Sequence, residues 1–377
     1  MWSFLKQKSY HHLNKVVISQ EALRANHQAL QAFHANAQVC PVLKSNAYGH
    51  GLKEVAPVFD SMKCPFLVVD SLFEAYELYK LQVKTPILIM GYTHPTNFTL
   101  KRLPFEIALF DFELAATLNQ YQPGCHVHIF VDTGMSREGI LVDELPTFLT
   151  QLKKLNNINV VGLCSHFADA DNPRSQQFTD LQVNTYKKAL TILTEYGFSP
   201  MWKHISASAG SYKLHDKTFN MIRAGLAHYG ITPLEENDRY KNEISLQPAL
   251  EFSSTLAQIK GVPKGSFIGY NRTYTAKKDI VLGLLPAGYY EGVDRRLSNK
   301  GFVKIREKFF PIVGRISMNM TIIDITELDG PEVGESAIIY SSQESDKNSL
   351  KNAAILVRTT PYELPVHIAE SVKRIVI

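Results

Sequence analysis

Residues 40–51 are Cys40-Pro41-Val42-Leu43-Lys44-Ser45-Asn46-Ala47-Tyr48-Gly49-His50-Gly51. The apolar run up to Leu43 predicts a short buried strand, and the glycine-punctuated turn after it predicts a helix that begins at about Leu52. Lys44 therefore ends a strand instead of lying on a solvated surface. Partial desolvation there would disfavour its ammonium form, and a neutral amine can carry out Schiff-base chemistry. The alternative is a lysine that extends from a strand end into solvent.

The alternation of short apolar runs with longer amphipathic runs continues to about Gly230. Helical patterns cover residues 73–79 and 180–196. With the strand before Lys44, the apolar runs predict eight strands, the others being residues 66–69, 86–90, 107–110, 127–131, 160–163, 202–206 and 222–227. Eight such units predict an α/β fold with a closed parallel (β/α)8 TIM-type barrel. Functional groups gather at the carboxyl ends of barrel strands, which is where the polar residues Lys44, Arg137, His166, Ser208 and Arg223 fall.

The sequence after about Pro233 predicts a second, mainly β domain with closely spaced turns. Its predicted strands are residues 253–259, 280–285, 302–305, 311–316, 320–325 and 337–340. We therefore predict a barrel domain over residues 1–235, whose first residues are able to pack with the second domain. The second domain is predicted over residues 236–377, with a solvated loop at 341–349.

Composition limits the classes of function. The chain has 377 residues, 45% of them hydrophobic and 20% charged, with a formal net charge of +4. This balance lacks the positive field that nucleic-acid binding requires, and no apolar run approaches membrane-spanning length. The four cysteines show no metal-binding spacing, so buried thiols and no metal site are expected. No secretory signal pattern is present, which favours a cytoplasmic location.

Several segments resemble the alanine racemase family. Residues 42–51 resemble its pyridoxal-phosphate lysine signature, and further segments match in the same order. These segments are Val131-Asp132-Thr133-Gly134-Met135, Ser165-His166-Phe167-Ala168, Arg223-Ala224-Gly225-Leu226-Ala227, Gly269-Tyr270 and Gly314-Arg315-Ile316-Ser317-Met318-Asn319. The resemblance spans most of the chain and implies that pyridoxal 5'-phosphate binds as cofactor at Lys44.

The loops after the last two barrel strands commonly hold a cofactor phosphate. Ser208 follows the seventh strand, and Gly225 and Leu226 follow the eighth, where a missing Cβ lets the backbone approach a ligand. Such small residues also mark ordinary tight turns. The resemblance implies phosphate contacts for these three residues and for Tyr48.

Arg223 matches the family position that faces the cofactor ring nitrogen. Many pyridoxal enzymes place an acid there, which keeps the nitrogen protonated and the ring a full electron sink. Arginine does not readily give up its proton, so the nitrogen should stay unprotonated and side reactions such as transamination should be disfavoured. From the sequence alone, an ion pair at a strand end is the simpler interpretation.

Racemisation needs proton removal on one face of the α-carbon and delivery on the other, so two groups must flank the cofactor. The resemblance implies Lys44 for one face and Tyr270 for the other. A tyrosine titrates near pH ~10, and His166 and Arg223 are expected to supply a cationic network that assists it. The alternatives are a packed aromatic for Tyr270 and a core histidine for His166.

The resemblance also implies a homodimer with shared active sites. Tyr270 and Met318 would enter the barrel mouth of the partner subunit, where the backbone of Met318 meets the substrate carboxylate. Arg137 would contact that carboxylate as a rigid fork. A surface ion pair with Glu138 is the alternative for Arg137. Residues expected along the substrate access corridor are Asp171, Tyr289, Arg295 and Arg315.

Three positions depart from the family pattern. Phe130 stands where several members carry a carbamylated lysine that orients the arginine at position 137. Glu370 or a neighbour stands where a corridor-narrowing tyrosine is common, and Asn319 replaces a common aspartate. The last two changes could loosen selection toward serine or larger amino acids.

The sequence thus predicts a pyridoxal-phosphate-dependent enzyme that interconverts L- and D-alanine for peptidoglycan. Alternatives are a racemase for serine, lysine or a broad range of amino acids, a related barrel decarboxylase, and a non-catalytic cofactor-carrying or regulatory protein. The pairing of two bases argues against decarboxylation, and the second domain with Tyr270 argues against a carrier.

Overall fold

The computed structural model describes residues 11–377, which divide into two compact units. The barrel unit is Gln20–Ala249, and the C-terminal unit is residues 11–19 with Leu250–Ile377. The first strand, β1 (Lys15–Ile18), therefore belongs with the C-terminal unit. The domain boundary predicted at 235/236 stays a prediction.

Parallel strands line the interior of the barrel unit. They are β2 (Gln38–Pro41), β3 (Leu67–Val69), β4 (Ile87–Ile89), β5 (Glu106–Leu109), β6 (Cys125–Asp132), the short β7 (Ile140–Leu141), β8 (Ile158–Cys164), β9 (Trp202–His204) and β10 (Met221–Ala224). All but β7 correspond to the eight predicted strands. The pairing order is β3-β4-β5-β6-β8-β9, and β10 pairs with β2. Strands such as β3 are buried at every position, which is why their sequences are continuous apolar runs.

Two further backbone hydrogen bonds join these sheets into a ring. The Leu43 N–H donates to Val68 O at 2.7 Å, beside a bridge between Val42 and Val68. On the other side, the Arg223 N–H donates to Ser206 O at 3.0 Å. The predicted closed barrel is confirmed.

Helices follow most strands of the barrel unit, and their ends carry the expected caps. Ser71 and Glu74 form a capping box at the helix Leu72–Lys80, and Asp111 accepts from the Leu114 N–H at the next helix. The helices are Gln20–Phe33, Leu52–Asp60, Leu72–Lys80, Phe112–Tyr121, Leu145–Leu152, Gln177–Glu195 and Ser208–Lys213. The helix predicted from about Leu52 begins at that residue.

The C-terminal unit is mainly β, as predicted. After β1 its strands are β11 (Leu250–Thr255), β12 (Gln258–Val262), β13 (Phe267–Ile268), β14 (Tyr274–Thr275), β15 (Ile280–Leu285), β16 (Phe302–Ile305), β17 (Lys308–Pro311), β18 (Thr321–Asp324), β19 (Ser336–Tyr340) and β20 (Lys373–Val376), with helices Leu350–Val357 and Glu363–Val366. A six-stranded sheet has the order β17-β16-β19-β11-β1-β20. A three-stranded sheet has the order β12-β15-β18, and β13 pairs with β14.

Three details differ from the sequence prediction. The single strand predicted over 253–259 is two strands, β11 and β12. The strand predicted over 311–316 lies earlier, at β17, because Arg306 adopts a left-handed conformation (φ 53°) that turns the chain directly after β16. A charged residue in that conformation gives no turn signal of the kind that glycine gives. The strands β1, β13, β14 and β20 were not predicted.

Within residues 11–377, no helix combines the length and apolar character needed to cross a bilayer. The same residues contain no cluster of three or more histidine, cysteine or acidic side chains that could hold a metal ion. All four cysteines are free, and three of them, Cys40, Cys64 and Cys164, are buried. Burial raises the pKa of the Cys164 thiol to about 12.

Candidate active site

The turn after β2 holds Lys44 in an unusual backbone setting. The residues that follow Lys44 are left-handed, with φ of 55° at Ser45, 53° at Asn46 and Ala47 and 52° at Tyr48. Each such residue costs roughly 1–2 kcal/mol, so the turn persists only because neighbours hold it. Glu74 accepts from the Ser45 N–H at 2.6 Å, and the Asn46 side chain accepts from the Leu52 N–H at 2.7 Å. The fold thus fixes the backbone that carries Lys44.

Lys44 lies beside a carboxylate that the sequence interpretation missed. Its Nζ is 3.7 Å from Asp70 Oδ1, and 43% of the Lys44 side chain is exposed. The expected desolvation is therefore weaker than predicted, because the lysine points to an open barrel mouth. Asp70 directly follows β3, so the rule that located Lys44 at a strand end could also have located Asp70.

The structure brings together Tyr48, Ser208, Gly225 and Leu226. The Ser208 hydroxyl accepts from the Gly225 N–H at 3.0 Å and from the Ala227 N–H at 3.2 Å. A Cβ at Gly225 would overlap with the Tyr48 phenol oxygen, so glycine is required for this approach. Leu226 begins a short 3-10 helix, Leu226–Tyr229. Hydroxyl and backbone groups from three loops thus converge at one point of the barrel mouth.

Arg223 is buried on β10, with 4% of its surface exposed. Its Nη2 donates to Ser165 O at 2.7 Å and lies 3.2 Å from His166 Nδ1, and its Nη1 lies 2.5 Å from His204 Nδ1. No carboxylate among residues 11–377 lies within 4.0 Å of this guanidinium, so the alternative of a strand-end ion pair is wrong. Burial lowers the pKa of Arg223 from its ordinary value, although arginine remains protonated in proteins.

His166 lies next to Arg223 and is neutral. Burial, followed by the charges of Arg223, Arg137 and Lys44, lowers the pKa of His166 to about 3. Arg223 therefore carries the positive charge of this pair, and the assistance of Tyr270 by His166 and Arg223 stays a prediction. Because its Nδ1 accepts from Arg223, its hydrogen lies on Nε2.

Arg137 follows β6 in a loop and is 54% exposed. Its guanidinium forms a fork-like ion pair with Glu138, with Nη2 2.5 Å from Oε1. The alternative that the sequence left open is therefore the arrangement observed. Phe130 is buried on β6 against Ala108 and Cys164, with its ring 5.3 Å from that of Phe110. Position 130 is therefore part of an apolar cluster and carries no charge of the kind that a carbamylated lysine supplies in other family members.

Tyr270 and Met318 lie in the C-terminal unit, on exposed loops. The exposed fraction is 67% for Tyr270 and 56% for Met318, so the alternative of a packed aromatic at position 270 is wrong. Tyr270 follows β13 directly after Gly269, whose φ of 70° favours glycine. Large exposed apolar side chains on one edge are typical of a surface that a partner covers.

Most residues predicted for the access corridor gather on this same edge. A Cβ at Gly269 would lie 3.1 Å from Arg315 N, and the Tyr290 N–H donates to Met318 O at 2.9 Å. Arg295 lies over the Tyr289 ring, 6.0 Å from its centroid. We call the loops of Tyr270, Tyr289, Arg295, Arg315 and Met318 the C-terminal edge. Asp171 is exposed in the barrel unit.

The remaining family departures are also exposed. The Asn319 side chain donates to Glu291 Oε1 at 2.8 Å, and the other Glu291 oxygen accepts from the Gly288 N–H at 2.8 Å. Asn319 therefore stabilises the loop next to Met318. Glu370 is exposed in the C-terminal unit.

Two supporting residues were not predicted from the sequence. Glu74 holds the turn after Lys44, and Gln182 holds the loop of His166. The Gln182 amide accepts from the Ala168 N–H at 2.9 Å and donates to His166 O at 3.0 Å. Both residues lie on helices whose polar positions gave no signal of burial.

Comparison with known proteins identifies the family. The family model described as alanine racemase, N-terminal domain, matches residues 18–233, and that of the C-terminal domain matches residues 249–376. An alanine racemase from Leptospira interrogans is 31% identical over 91% of this chain and 90% of its own length. Alanine racemase 2 from Caldanaerobacter subterraneus subsp. tengcongensis is 32% identical over 90% of this chain and 88% of its own length.

Solved structures agree with these matches. The Clostridium difficile alanine racemase superposes with a TM-score of 0.91 at 29% identity, covering 98% of this chain and 97% of the other. The Bacillus anthracis alanine racemase with bound L-Ala-P superposes with a TM-score of 0.90 at 29% identity, covering 98% and 96%. The resemblance inferred from the motifs is confirmed. The chain belongs to the alanine racemase family, whose members are pyridoxal-phosphate-dependent isomerases.

Proposed function

We propose that this chain interconverts L- and D-alanine by a two-base mechanism, using Lys44 and Tyr270 of the partner subunit. The carrying observation is the setting of Lys44, which lies at a barrel-strand end on a strained turn held by Glu74. Strain of this kind is retained where it positions a functional group. The proposed role is the supply of D-alanine for peptidoglycan, and the cytoplasmic location stays a prediction.

The barrel unit fits pyridoxal phosphate. Lys44 Nζ would hold the cofactor aldehyde, and the loops of Tyr48, Ser208, Gly225 and Leu226 would hold its phosphate through hydroxyl and backbone N–H groups. Arg223 would face the ring nitrogen. When bound, the cofactor supplies an electron sink that acidifies the α-hydrogen of the amino acid.

Proton transfer is then assigned to residues of this chain. Lys44 Nζ exchanges the α-proton on one face, and the phenol oxygen of Tyr270 of the partner subunit exchanges it on the other. Arg223 keeps the ring nitrogen unprotonated, which weakens the electron sink and disfavours transamination. Because the pKa of His166 is lowered to about 3, His166 would act as a neutral donor through Nε2.

The substrate carboxylate would be bound by Arg137 and by the backbone of Met318 of the partner subunit. Arg137 would then share its guanidinium between Glu138 and the substrate, and the apolar Phe130 supplies no charge to orient it. The exposed side chains of Tyr270 and Met318 on the C-terminal edge support a homodimer, because a second copy would cover them.

Incubation with L-alanine in deuterated water tests this function. We expect D-alanine that carries deuterium at the α-carbon, and borohydride reduction followed by peptide mapping should recover the pyridoxyl group on Lys44. Label incorporation without inversion would contradict the second base. Inversion of serine or lysine but not alanine would contradict the substrate, and no turnover of any amino acid would favour a cofactor carrier.

A further inference from the structure

A continuous line of polar groups runs behind Arg223 through the barrel interior. Arg223 Nη1 lies 2.5 Å from His204 Nδ1, and His204 Nε2 lies 2.8 Å from His128 Nδ1. His128 Nε2 in turn lies 2.9 Å from Glu106 Oε2. Glu106 is the first residue of β5, so this relay of Arg223, His204, His128 and Glu106 leads away from Lys44 to the amino-terminal end of the barrel.

The two ends of the relay determine which way every hydrogen points. Arginine has donors only, so His204 Nδ1 must accept and its hydrogen must lie on Nε2. His204 Nε2–H then donates to His128 Nδ1, so the hydrogen of His128 lies on Nε2. The ionised carboxylate of Glu106 accepts that hydrogen. The reverse arrangement, with a protonated Glu106 as donor, would leave a His204 N–H facing an Arg223 N–H. Only one pattern of tautomers satisfies all four groups.

The surroundings hold the relay in that charge state. Burial, with Arg223 nearby, lowers the pKa of His204 well below its ordinary value, and burial lowers that of His128. Burial alone would raise the pKa of Glu106, but hydrogen bonds from His128 and His126 bring it below its ordinary value. Both imidazoles are therefore neutral and Glu106 is charged, so the relay carries one positive and one negative end.

The barrel makes room for this line of side chains. A Cβ at Gly162 on β8 would overlap with the His128 ring, so only glycine leaves space for the imidazole there. At the far end, Glu106 Oε1 lies 3.1 Å from His126 Nδ1, and both residues line an open pocket together with Arg102 and Cys125. The negative end of the relay is thus near the surface, whereas Arg223 is deep in the barrel.

We propose that Glu106 is a positioning residue for Arg223. Its carboxylate fixes the tautomers of His128 and His204, so that a lone pair always faces Arg223 Nη1 and anchors the guanidinium from behind. The Nη2 group then keeps its orientation toward His166 and the barrel mouth. The inference rests on the proposed role of Arg223, but the positions of the hydrogens can be measured whether or not the protein racemises alanine.

The first test uses the full-length protein with ¹⁵N-labelled histidine, before and after addition of pyridoxal phosphate. Long-range ¹H–¹⁵N spectra should show His128 and His204 as neutral Nε2–H tautomers, with assignments from the single variants His128→Asn and His204→Asn. An Nδ1–H tautomer or an imidazolium at either position would overturn the proposal. Where a variant does not fold, the wild-type pair is identified instead by the ¹⁵N–¹⁵N coupling across the His204 Nε2–His128 Nδ1 hydrogen bond, so the direction of the relay is still decided.

The second test compares Glu106→Gln with Glu77→Gln. Glutamine at 106 can turn either its oxygen or its nitrogen toward His128, so a second set of tautomer signals should appear. The kcat for alanine should fall about tenfold, the size expected for loss of one charge-assisted hydrogen bond, with a smaller change in KM. Glu77 pairs with the exposed side chains of Lys53 and Lys80, and its variant should leave spectra and kcat unchanged. A Glu106→Gln variant with wild-type tautomers and wild-type kcat would overturn the proposal.

Discussion

The barrel mouth and the C-terminal edge differ in whether contacts within one chain hold their functional side chains in place. Glu74 holds the strained turn after Lys44 at the mouth, and behind it Arg223 is 4% exposed with an acceptor for each of its terminal nitrogens. At the edge, Tyr270 is 67% exposed. A cofactor site needs rigid groups, which one fold can supply. The second base instead comes, in our proposal, from a residue that a partner must cover.

Removal of the mouth lysine should have the largest effect. Lys44→Ala deletes both the proposed cofactor attachment and one base, so kcat should fall by at least about 10³-fold. Racemisation is measured by D-alanine formation. Lys53→Ala removes a surface lysine paired with Glu77 and should retain wild-type kcat. Comparable rates for the two variants would contradict the role of Lys44.

Removal of the phenol oxygen of Tyr270 on the C-terminal edge should have the second-largest effect on activity. Tyr270→Phe keeps the aromatic ring but deletes the proposed second base, so racemisation should fall by roughly 10²–10⁴-fold. Exchange of α-deuterium from the enantiomer that Lys44 serves should persist, as measured by mass spectrometry. Tyr290→Phe changes a second exposed tyrosine close to Met318 and should be neutral. Equal loss of exchange for both enantiomers would argue against a one-face role.

The buried and exposed arginines should differ in their effect on stability. Arg223→Gln leaves buried acceptors unsatisfied and should lower the free energy of unfolding by about 2–4 kcal/mol. Arg137→Gln breaks an exposed ion pair and should change it by no more than about 0.5 kcal/mol. Urea denaturation measures both. A similar loss for the two variants would show that burial does not distinguish them.

The last prediction is a pH dependence of the free energy of unfolding, which arises from His166. The pKa of His166 is about 3 in the folded chain and lies near 6.5 when unfolded, so the unfolded state binds a proton first. Stability from this group is present above pH ~6.5 and is lost as the pH falls toward 3. Between pH 7 and 5 its contribution should fall by about 2 kcal/mol. His166→Asn should flatten this part of the urea-denaturation profile, and an unchanged slope would contradict a neutral His166.

Local sequence signals predicted the barrel well. Continuous apolar runs identified the eight strands, and the glycines around Tyr48 marked the turn whose carboxyl-end position singled out Lys44. The family resemblance assigned Ser208 and Gly225 to the phosphate site, and that role stays a prediction. These features depend on residues that are neighbours in the sequence, so the amino-acid sequence alone is enough to predict them.

Other features depend on contacts between distant residues and gave no local signal. His128 and Glu106 lie on strands whose apolar neighbours identify a strand but not a polar line through its interior. The partner of Arg137 was left open, and the neutral state of His166 follows from burial beside Arg223. Likewise β1 and β20 pair only when the two ends of the chain meet.

Subunit mixing tests most directly the claim that one chain supplies the mouth and its partner the second base. Lys44→Ala and Tyr270→Phe are each inactive alone, but a mixed dimer contains one site with both changes and one with neither. Random reassortment should therefore restore about a quarter of wild-type activity, since half of the dimers are mixed and half of their sites are intact. Activity that stays at the average of the two parent variants would contradict a shared site.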